Sequence, residues 1–207
     1  MIKAIFFDMG GVLVDLHLDL CVKAYRDIAG FKNISDFIDP WHQRGFMKDL
    51  ERGALDFDGY MEECKRHCAP GTNTETILYC HRQFFGVPAP ETVKLIHDLS
   101  KDFDLSVLSN NNSVSMSILF PIFQGAGLPF ETSFKHLFFS YEMRMLKPDA
   151  EIFHAAIAQS GYKADEILFI DDSASNVEGG RAAGMKSVLY TPGTSLKSLV
   201  ETSIAEG

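Results

Sequence analysis

The sequence predicts an α/β fold, with a parallel β-sheet core and a helical segment inserted after the first strand. Three features of the 207-residue chain lead to this prediction. Short apolar runs of buried-strand length recur along the chain, helical patterns lie between them, and one long stretch near the N-terminus interrupts the alternation. With 46% hydrophobic and 23% charged residues, the composition is that of an ordinary folded domain rather than a disordered or fibrous protein.

Five segments are predicted to be strands, because each is a short apolar run followed by turn-forming or helix-starting residues. They are residues 4–7, 105–108, 137–139, 167–170 and 187–190. The first, second and fourth are the clearest, and the other two fall between helical patterns at the spacing of β-α units. These segments predict a parallel sheet of five strands.

Helix start and stop signals predict crossover helices between the strands over residues 90–100, 149–160 and 173–183. Pro90 opens the first of these helices, and Gly161 follows the end of the second. Gly179 and Gly180 would let the third helix lie close to the sheet, so we interpret them as packing residues. The stretch 121–134, rich in Pro, Gly and Phe, is predicted to be an irregular connection, with one short helix within it left open.

Residues 16–86 break the β-α alternation and contain no convincing buried strand. Helical patterns occur within this stretch over residues 20–28, 57–68 and 74–85. Because the stretch directly follows the first strand, we expect it to cover the strand ends as a cap. The predicted organisation is therefore a core of residues 1–15 and 87–207 with a helical cap insertion of residues 16–86.

Charge and N-terminal sequence exclude some partners and locations. The formal net charge of -9 repels a phosphate backbone, so we expect no nucleic-acid partner. The apolar N-terminal run carries Lys3, Asp8 and Asp15, which is unlike a signal peptide or a membrane span. We expect a cytoplasmic protein with no membrane partner and with its four cysteines as thiols. The sequence does not fix the oligomeric state, and a monomer is favoured.

Polar side chains follow the clearest predicted strands. Asp8 follows the first strand, Ser109 the second, and Asp171 and Asp172 the strand at 167–170. In parallel α/β sheets, ligands bind beyond the carboxyl ends of the strands. Clustered carboxylates need a counter-charge, and their hard oxygens suit magnesium, while Lys147 would add a fixed cation. The sequence therefore predicts a site for magnesium and a phosphoryl group.

Four motifs, taken together, resemble the haloacid dehalogenase-like (HAD) hydrolase superfamily, in the subgroup of phosphatases with a helical cap. They are FFDMGGVLVD around Asp8, LSNNN around Ser109, Lys147-Pro148-Asp149, and FIDDSASN over residues 169–176. They stand in the family's order, and the resemblance covers essentially the whole chain. It implies a Rossmann-like core and a magnesium-dependent phosphatase that hydrolyses a small phosphate monoester, such as a sugar phosphate.

The resemblance also implies catalytic roles for individual residues. Asp8 would be the nucleophile that forms an aspartyl-phosphate, which water then hydrolyses. Ser109, Asn110 and Lys147 would hold the phosphoryl oxygens, and Lys147 would also steady Asp8. The expected partner is a small phosphorylated metabolite.

The metal ligands are implied in the same way. Asp8, the backbone carbonyl of Gly10 and Asp172 would hold Mg2+. Asp171 and Asn176 match positions that act in the same metal shell directly or through water, and they rank below Asp172.

Gly10 is the main departure from the family pattern. Most phosphatases of the family have a second aspartate there, which protonates the leaving oxygen, and general acid catalysis contributes about 10^2 to 10^4 in rate. Water or a cap residue would then supply the proton, or the substrate would need little help. Two alternatives stay open: a catalytically weak regulatory or binding protein on this scaffold, and a haloalkanoate dehalogenase, although dehalogenases do not use a magnesium site such as Asp171-Asp172 would provide.

Several residues of the predicted insertion have two interpretations. His17, Trp41, His42 and Arg52 could contact the leaving group, although each is more typical of a cap surface or cap core. Asp15 could border the entrance and replace the absent acid, although a residue that fixes the hinge where the cap begins is the favoured interpretation. The cysteines of the segment Cys64 to Cys68 and the pair Cys80-His81 do not have standard zinc-finger spacing, so buried thiols are favoured over a zinc site.

Overall fold

Five parallel strands form the central sheet in the computed structural model, which describes residues 1–39 and 43–206. The strands are β1 (Ala4–Phe7), β2 (Asp104–Ser109), β3 (His136–Phe139), β4 (Ile167–Asp171) and β5 (Lys186–Leu189). Their order is β3-β2-β1-β4-β5, and all four neighbouring pairs are parallel. The predicted α/β fold is confirmed, and each predicted strand boundary lies within one residue of the observed one. Because β1 is central, Asp8 lies between the ends of β2 and β4.

Eleven helices connect and flank the strands in the described part of the chain. They are α1 (Leu18–Asp27), α2 (Phe46–Glu51), α3 (Phe57–His67), α4 (Thr74–Arg82), α5 (Pro90–Leu99), α6 (Ser113–Gly125), α7 (Phe130–Ser133), α8 (Ser140–Met143), α9 (Ala150–Ser160), α10 (Ala174–Ala182) and α11 (Leu196–Ala205). The six predicted helices correspond to α1, α3, α4, α5, α9 and α10. Helices α2, α8 and α11 have no counterpart among the predictions.

The prediction of an irregular connection over residues 121–134 is wrong for its first five residues, and α7 is a short helix of the kind that the prediction left open. Helix α6 continues through Pro121 to Gly125, and α7 adds a further short turn of helix. Proline normally disfavours a helix interior because it removes a backbone donor. Here Leu119 and Phe123, on either side of the proline, are buried in the core. Packing of this apolar helix face therefore outweighs the local preference of proline.

Helices α1 to α4 pack around a hydrophobic cluster of their own. Its largest fully buried side chains include Tyr25, Phe31 and Tyr60, and Val114 of α6 joins it from outside the inserted segment. Cys21, Cys64 and Cys80 are buried free thiols in this cluster, and Cys68 is a partly buried free thiol. This separate cluster supports the proposed division into a core of residues 1–15 and 87–207 and a cap of residues 16–86.

The inserted segment leaves and rejoins the core at one point. Leu16 and Phe85 form an antiparallel bridge. The backbone N–H of His17 donates to the carbonyl of Phe84 over 2.8 Å, and the N–H of Gly86 donates to the carbonyl of Asp15 over 2.9 Å. Paired linkers of this kind support the interpretation of Asp15 as a hinge residue.

A buried polar network joins the inserted helices to α6. The hydroxyl oxygens of Tyr25 and Tyr60 are 2.6 Å apart, and they lie 3.3 and 3.1 Å from Nδ1 of His81. The other ring nitrogen of His81, Nε2, lies 2.9 Å from Oγ of Ser115 on α6. His81 therefore connects α4 of the insertion to a helix of the core.

No helix within residues 1–39 and 43–206 is long and apolar enough to cross a lipid bilayer.

His81 makes stability depend on pH. Burial lowers the pKa of His81 to about 4, whereas an unperturbed histidine titrates near about 6.5. The unfolded chain therefore binds a proton that the folded chain rejects, and stability is lost as the pH falls from about 6.5 to about 4. We expect the stability advantage of wild type over His81→Gln, measured by denaturant unfolding, to shrink by up to about 3 kcal/mol over this range. An advantage that is constant with pH would contradict a buried neutral imidazole.

Gly180 allows α10 to lie close to the sheet. A Cβ at this position would lie 2.5 Å from Oγ of Ser187 and 2.8 Å from Cδ1 of Phe169. We expect Gly180→Ala to lower the free energy of unfolding by about 1–3 kcal/mol through overpacking, although alanine favours helices. Gly125→Ala is the matched control, because a Cβ there meets nothing within 4 Å. If urea unfolding showed the same change for both variants, the packing role would be refuted.

Candidate active site

A buried lysine ammonium connects the ends of β1, β2 and β4. Nζ of Lys147 lies 2.6 Å from Oδ2 of Asp171 and 3.1 Å from Oδ1 of Asp8. It also donates to the carbonyl of Leu108 over 2.8 Å. The Lys147 side chain has 0% exposure. Three acceptors match the three N–H groups of an ammonium, so the position of this charge is fixed.

The charges in this cluster alter one another's pKa. Burial by itself lowers the pKa of Lys147, but the carboxylates of Asp171 and Asp8 outweigh this effect, and the net pKa is raised. Burial raises the pKa of Asp8, against the effects of Lys147 and a hydrogen bond from Ser109. The charges of Asp171 and Asp172 raise the pKa of Asp8 further. The cluster therefore favours additional positive charge.

Three carboxylates come within reach of one cation. Asp8, Asp171 and Asp172 each offer an oxygen, and these oxygens lie within 4.8 Å of one another. Gly10 lines the same pocket. Carboxylate and carbonyl oxygens are the ligands that magnesium prefers. The donor set thus fits a hard divalent cation.

Gly11 is a site residue that the sequence analysis missed. It has a positive φ of 76°, and a Cβ there would lie 2.3 Å from Oδ2 of Asp172. The backbone of the first loop therefore approaches the Asp172 carboxylate as closely as only glycine permits. The Gly-Gly pair after Asp8 was the available signal, although it does not reveal which carboxylate the loop approaches.

Asp171 is held by several donors. Its Oδ1 accepts hydrogen bonds from the backbone N–H of Ser173 over 2.8 Å and from Nδ2 of Asn176 over 3.0 Å. Its Oδ2 accepts from Lys147. The structure therefore places Asn176 beside Asp171, and the contacts of Asp171 orient it towards Lys147.

Asn110 differs from expectation in what its side chain contacts. Its Nδ2 donates to the carbonyl of Lys147 over 2.9 Å, and its Oδ1 accepts from the Lys147 N–H over 2.8 Å. The side chain therefore clamps the backbone that carries the buried ammonium. Asn110 also lies in the wall of the pocket, and its role towards a phosphoryl group stays a prediction. Ser109 lies at the end of β2, and its hydroxyl donates to the carbonyl of Asn110 over 3.5 Å.

The carboxylate cluster opens into a pocket with walls from both the core and the insertion. Core residues in its walls include Asp8, Gly10, Ser109, Asn110, Asn111, Asn112, Ser115, Lys147, Asp172 and Asn176. The insertion supplies Leu16, Cys21, Ile38, Gln43, Met47, Glu51, His81, Phe84 and Phe85. His17 and Arg52, expected as candidates for leaving-group contact, are not among the described wall residues, and Trp41 and His42 lie outside the described ranges.

Glu51 is the second site residue that sequence reasoning missed. It ends the short helix α2 and brings a carboxyl group into the pocket from the insertion. In the sequence it lies in the run MKDLER, where no local pattern distinguishes it from an ordinary charged surface residue. Only the packing of α2 against the core reveals its position.

Known proteins resemble this chain over nearly its full length. The sequence is 32% identical over 188 residues to D-ribitol-5-phosphate phosphatase from Bacteroides thetaiotaomicron, covering 90% of this chain and 91% of that protein. The structure matches a HAD family enzyme from Bacteroides thetaiotaomicron in complex with magnesium and inorganic phosphate, with a TM-score of 0.89 and 25% identity over 96% of this chain and 99% of that one.

A predicted HAD-like family hydrolase from Porphyromonas gingivalis also matches, with a TM-score of 0.90, 27% identity and 100% coverage of both chains. The model of the haloacid dehalogenase-like hydrolase family matches residues 2–184. These matches confirm the family that the four motifs indicated. The chain belongs to the haloacid dehalogenase-like hydrolases.

Proposed function

We propose that this enzyme is a magnesium-dependent phosphatase that hydrolyses a small sugar or polyol phosphate through an aspartyl-phosphate at Asp8. The observation that carries the proposal is the position of the Asp8 carboxylate, 3.1 Å from a buried ammonium and beside two further carboxylates. The relative named as a D-ribitol-5-phosphate phosphatase and the similar structure that contains magnesium and inorganic phosphate support it.

The residues present fit a magnesium ion. Asp8, Asp172 and the backbone carbonyl of Gly10 would hold it, because these oxygens lie in the pocket and the cluster has an excess of negative charge. Bound magnesium would neutralise negative charge on the phosphoryl oxygens. The contacts of Asp171 with Lys147 and Asn176 favour a role in orienting Lys147 next to this site.

The chain's own residues account for both chemical steps. One oxygen of Asp8 bonds to phosphorus while the ester P–O bond breaks, and the leaving oxygen takes a proton from water or from a residue of the insertion to become an alcohol. A water molecule then attacks phosphorus, the bond to Asp8 breaks, and inorganic phosphate leaves. The Lys147 ammonium orients Asp8 and offsets the charge of the phosphoryl group, and the Ser109 hydroxyl can donate to a phosphoryl oxygen.

The pocket walls favour a substrate with hydroxyl groups. Gln43 and His81 of the insertion stand with Asn112 and Ser115 of the core around the same space. The amide groups of Gln43 and Asn112 suit a short hydroxylated chain. His81 and Ser115 shape the wall, since the ring nitrogens of His81 are already in contact with Tyr60 and Ser115. Because the inserted helices form one wall of the pocket, a small molecule fits this site better than a polymer.

The nucleophile is tested with Asp8→Asn. We expect wild type to release phosphate from ribitol, pentose, hexose or aryl phosphates when magnesium is present but not when a chelator is added. The rate should fall at least about 10^3-fold in Asp8→Asn, because an amide is a poor nucleophile. The matched control is Asp102→Asn, the same chemical change at an exposed residue. Phosphate release and thermal melting are measured for each protein.

Release that persists in Asp8→Asn would refute the mechanism. Halide release from a 2-haloalkanoate without phosphate release would favour the dehalogenase alternative, and ligand binding without any turnover would favour the regulatory one.

Gly11 is tested through the magnesium requirement. We expect Gly11→Ala to raise the magnesium concentration for half-maximal activity by about 10- to 100-fold, because its methyl group would displace the Asp172 carboxylate. Gly71→Ala is the matched control: Gly71 also has a positive φ, of 86°, but a Cβ there meets nothing within 4 Å. Magnesium titrations of activity and calorimetric binding measure the effect. Equal magnesium requirements in the two variants would count against Asp172 as a ligand.

A further inference from the structure

Glu51 places a carboxyl group from the insertion in the same pocket as Asp8 and Lys147. Among the described wall residues, it is the one acid that comes from the insertion, since Asp8 and Asp172 belong to the core. The charges of Asp8, Lys147 and Lys48 all act on the pKa of its carboxyl group. Glu51 therefore lies close enough to the nucleophile to share its electrostatic environment.

Contacts of the Glu51 backbone with the core fix this position. Oγ of the buried Ser140 lies 2.7 Å from the carbonyl oxygen of Glu51 and 2.9 Å from that of Asn111, and it accepts a hydrogen bond from the Asn111 N–H. Two residues later, a Cβ on Gly53 would lie 2.1 Å from the carbonyl oxygen of Tyr141. The end of α2 thus rests directly on the first residues of α8.

The segment after β1 has Gly10 where a proton donor for the leaving group would stand, and Asp15, further along, is exposed and is not among the described wall residues. A Cβ on Gly10 would lie 3.0 and 3.2 Å from the two methyl groups of Leu16, so an apolar side chain occupies this part of the wall. An alkoxide leaves poorly unless it is protonated, and a positioned acid is the usual remedy.

The other titratable groups in the described walls have other roles. Lys147 uses its three N–H groups on Leu108, Asp8 and Asp171. Both ring nitrogens of His81 are in hydrogen-bond contact, and burial raises the pKa of the Cys21 thiol well above its usual range. Asp8 and Asp172 have the roles proposed above.

We propose that Glu51 is the general acid that protonates the leaving oxygen, an inference that rests on the proposed phosphatase function. As the Asp8 oxygen bonds to phosphorus and the ester P–O bond breaks, the Glu51 carboxyl gives its proton to the departing oxygen, and a neutral alcohol forms. In the second step the Glu51 carboxylate takes a proton from the attacking water. Free enzyme and inorganic phosphate are restored with all protons accounted for.

The environment of Glu51 agrees with this role. Burial raises the pKa of Glu51 to about 8, the charge of Asp8 adds to the rise, and Lys147 and Lys48 act against it. A protonated carboxyl group is then present near neutral pH.

The test compares leaving groups in Glu51→Gln. For alkyl phosphates such as ribitol 5-phosphate, we expect kcat/KM to fall about 10^2-fold or more, whereas 4-nitrophenyl phosphate, whose leaving group needs no proton, changes less than about threefold. Aryl phosphates of intermediate leaving-group acidity should give intermediate losses. Glu62→Gln, at an exposed residue of α3, is the matched control in the insertion.

Glu51→Ala adds a second readout. A small carboxylic acid such as formate should restore part of the alkyl phosphatase activity of this variant and leave Asp8→Asn inactive. A loss that is equal for all leaving groups, no loss, or no rescue in a folded variant would overturn the assignment of Glu51 and leave the phosphatase intact. If the proposed phosphatase function itself is wrong, wild type will release no more phosphate than Asp8→Asn, which distinguishes that outcome from an error in the role of Glu51.

Discussion

The buried charge of Lys147 is the constraint around which the site is built. An ammonium without exposure to water is stable only when negative or polar groups surround it, and removing one partner of such a pair costs about 3–5 kcal/mol. Asp8 after β1, Leu108 in β2 and Asp171 at the end of β4 meet this need from three adjacent strands. The parallel pairing of β1 with β2 and with β4 brings these strand ends to one edge. The same register that satisfies the lysine therefore assembles the reactive carboxylates.

The two parts of the chain divide the chemistry of the proposed reaction. The core contributes the charged groups that surround the phosphoryl group, on loops whose positions the sheet determines. The insertion contributes the walls that surround the rest of the substrate, including Glu51 and His81. In the proposed reaction, residues outside the strand-end motifs would protonate and enclose the leaving group, and the absence of a carboxylate at position 10 is consistent with this division.

Sequence patterns predicted the sheet closely because a strand buried on both faces is a continuous apolar run that ends abruptly in polar residues. The same reasoning identified Asp8, Ser109, Asp171 and Asp172, since strand ends must share an edge. It could not predict the hydrogen-bond partners of the Asn110 side chain, because an amide can bond to a phosphoryl oxygen or to a backbone peptide equally well. The observed bonds depend on the position of the Lys147 backbone, which the local sequence does not show. Local patterns did not reveal helix α2 or the position of Glu51, because a run of six residues, half of them charged, carries little helical signal. Ser140, 89 residues away, fixes the place of this helix.

The paired linkers at residues 15–17 and 84–86 have a consequence for how such an enzyme can diversify. Because the Asp15 carbonyl and the Gly86 N–H are 2.9 Å apart, the ends of the segment between them already meet. A segment of different length or lining can be exchanged at this junction without altering strand order or the contacts of Lys147. Substrate preference can then change with the inserted segment, while the residues that act on the phosphoryl group stay the same.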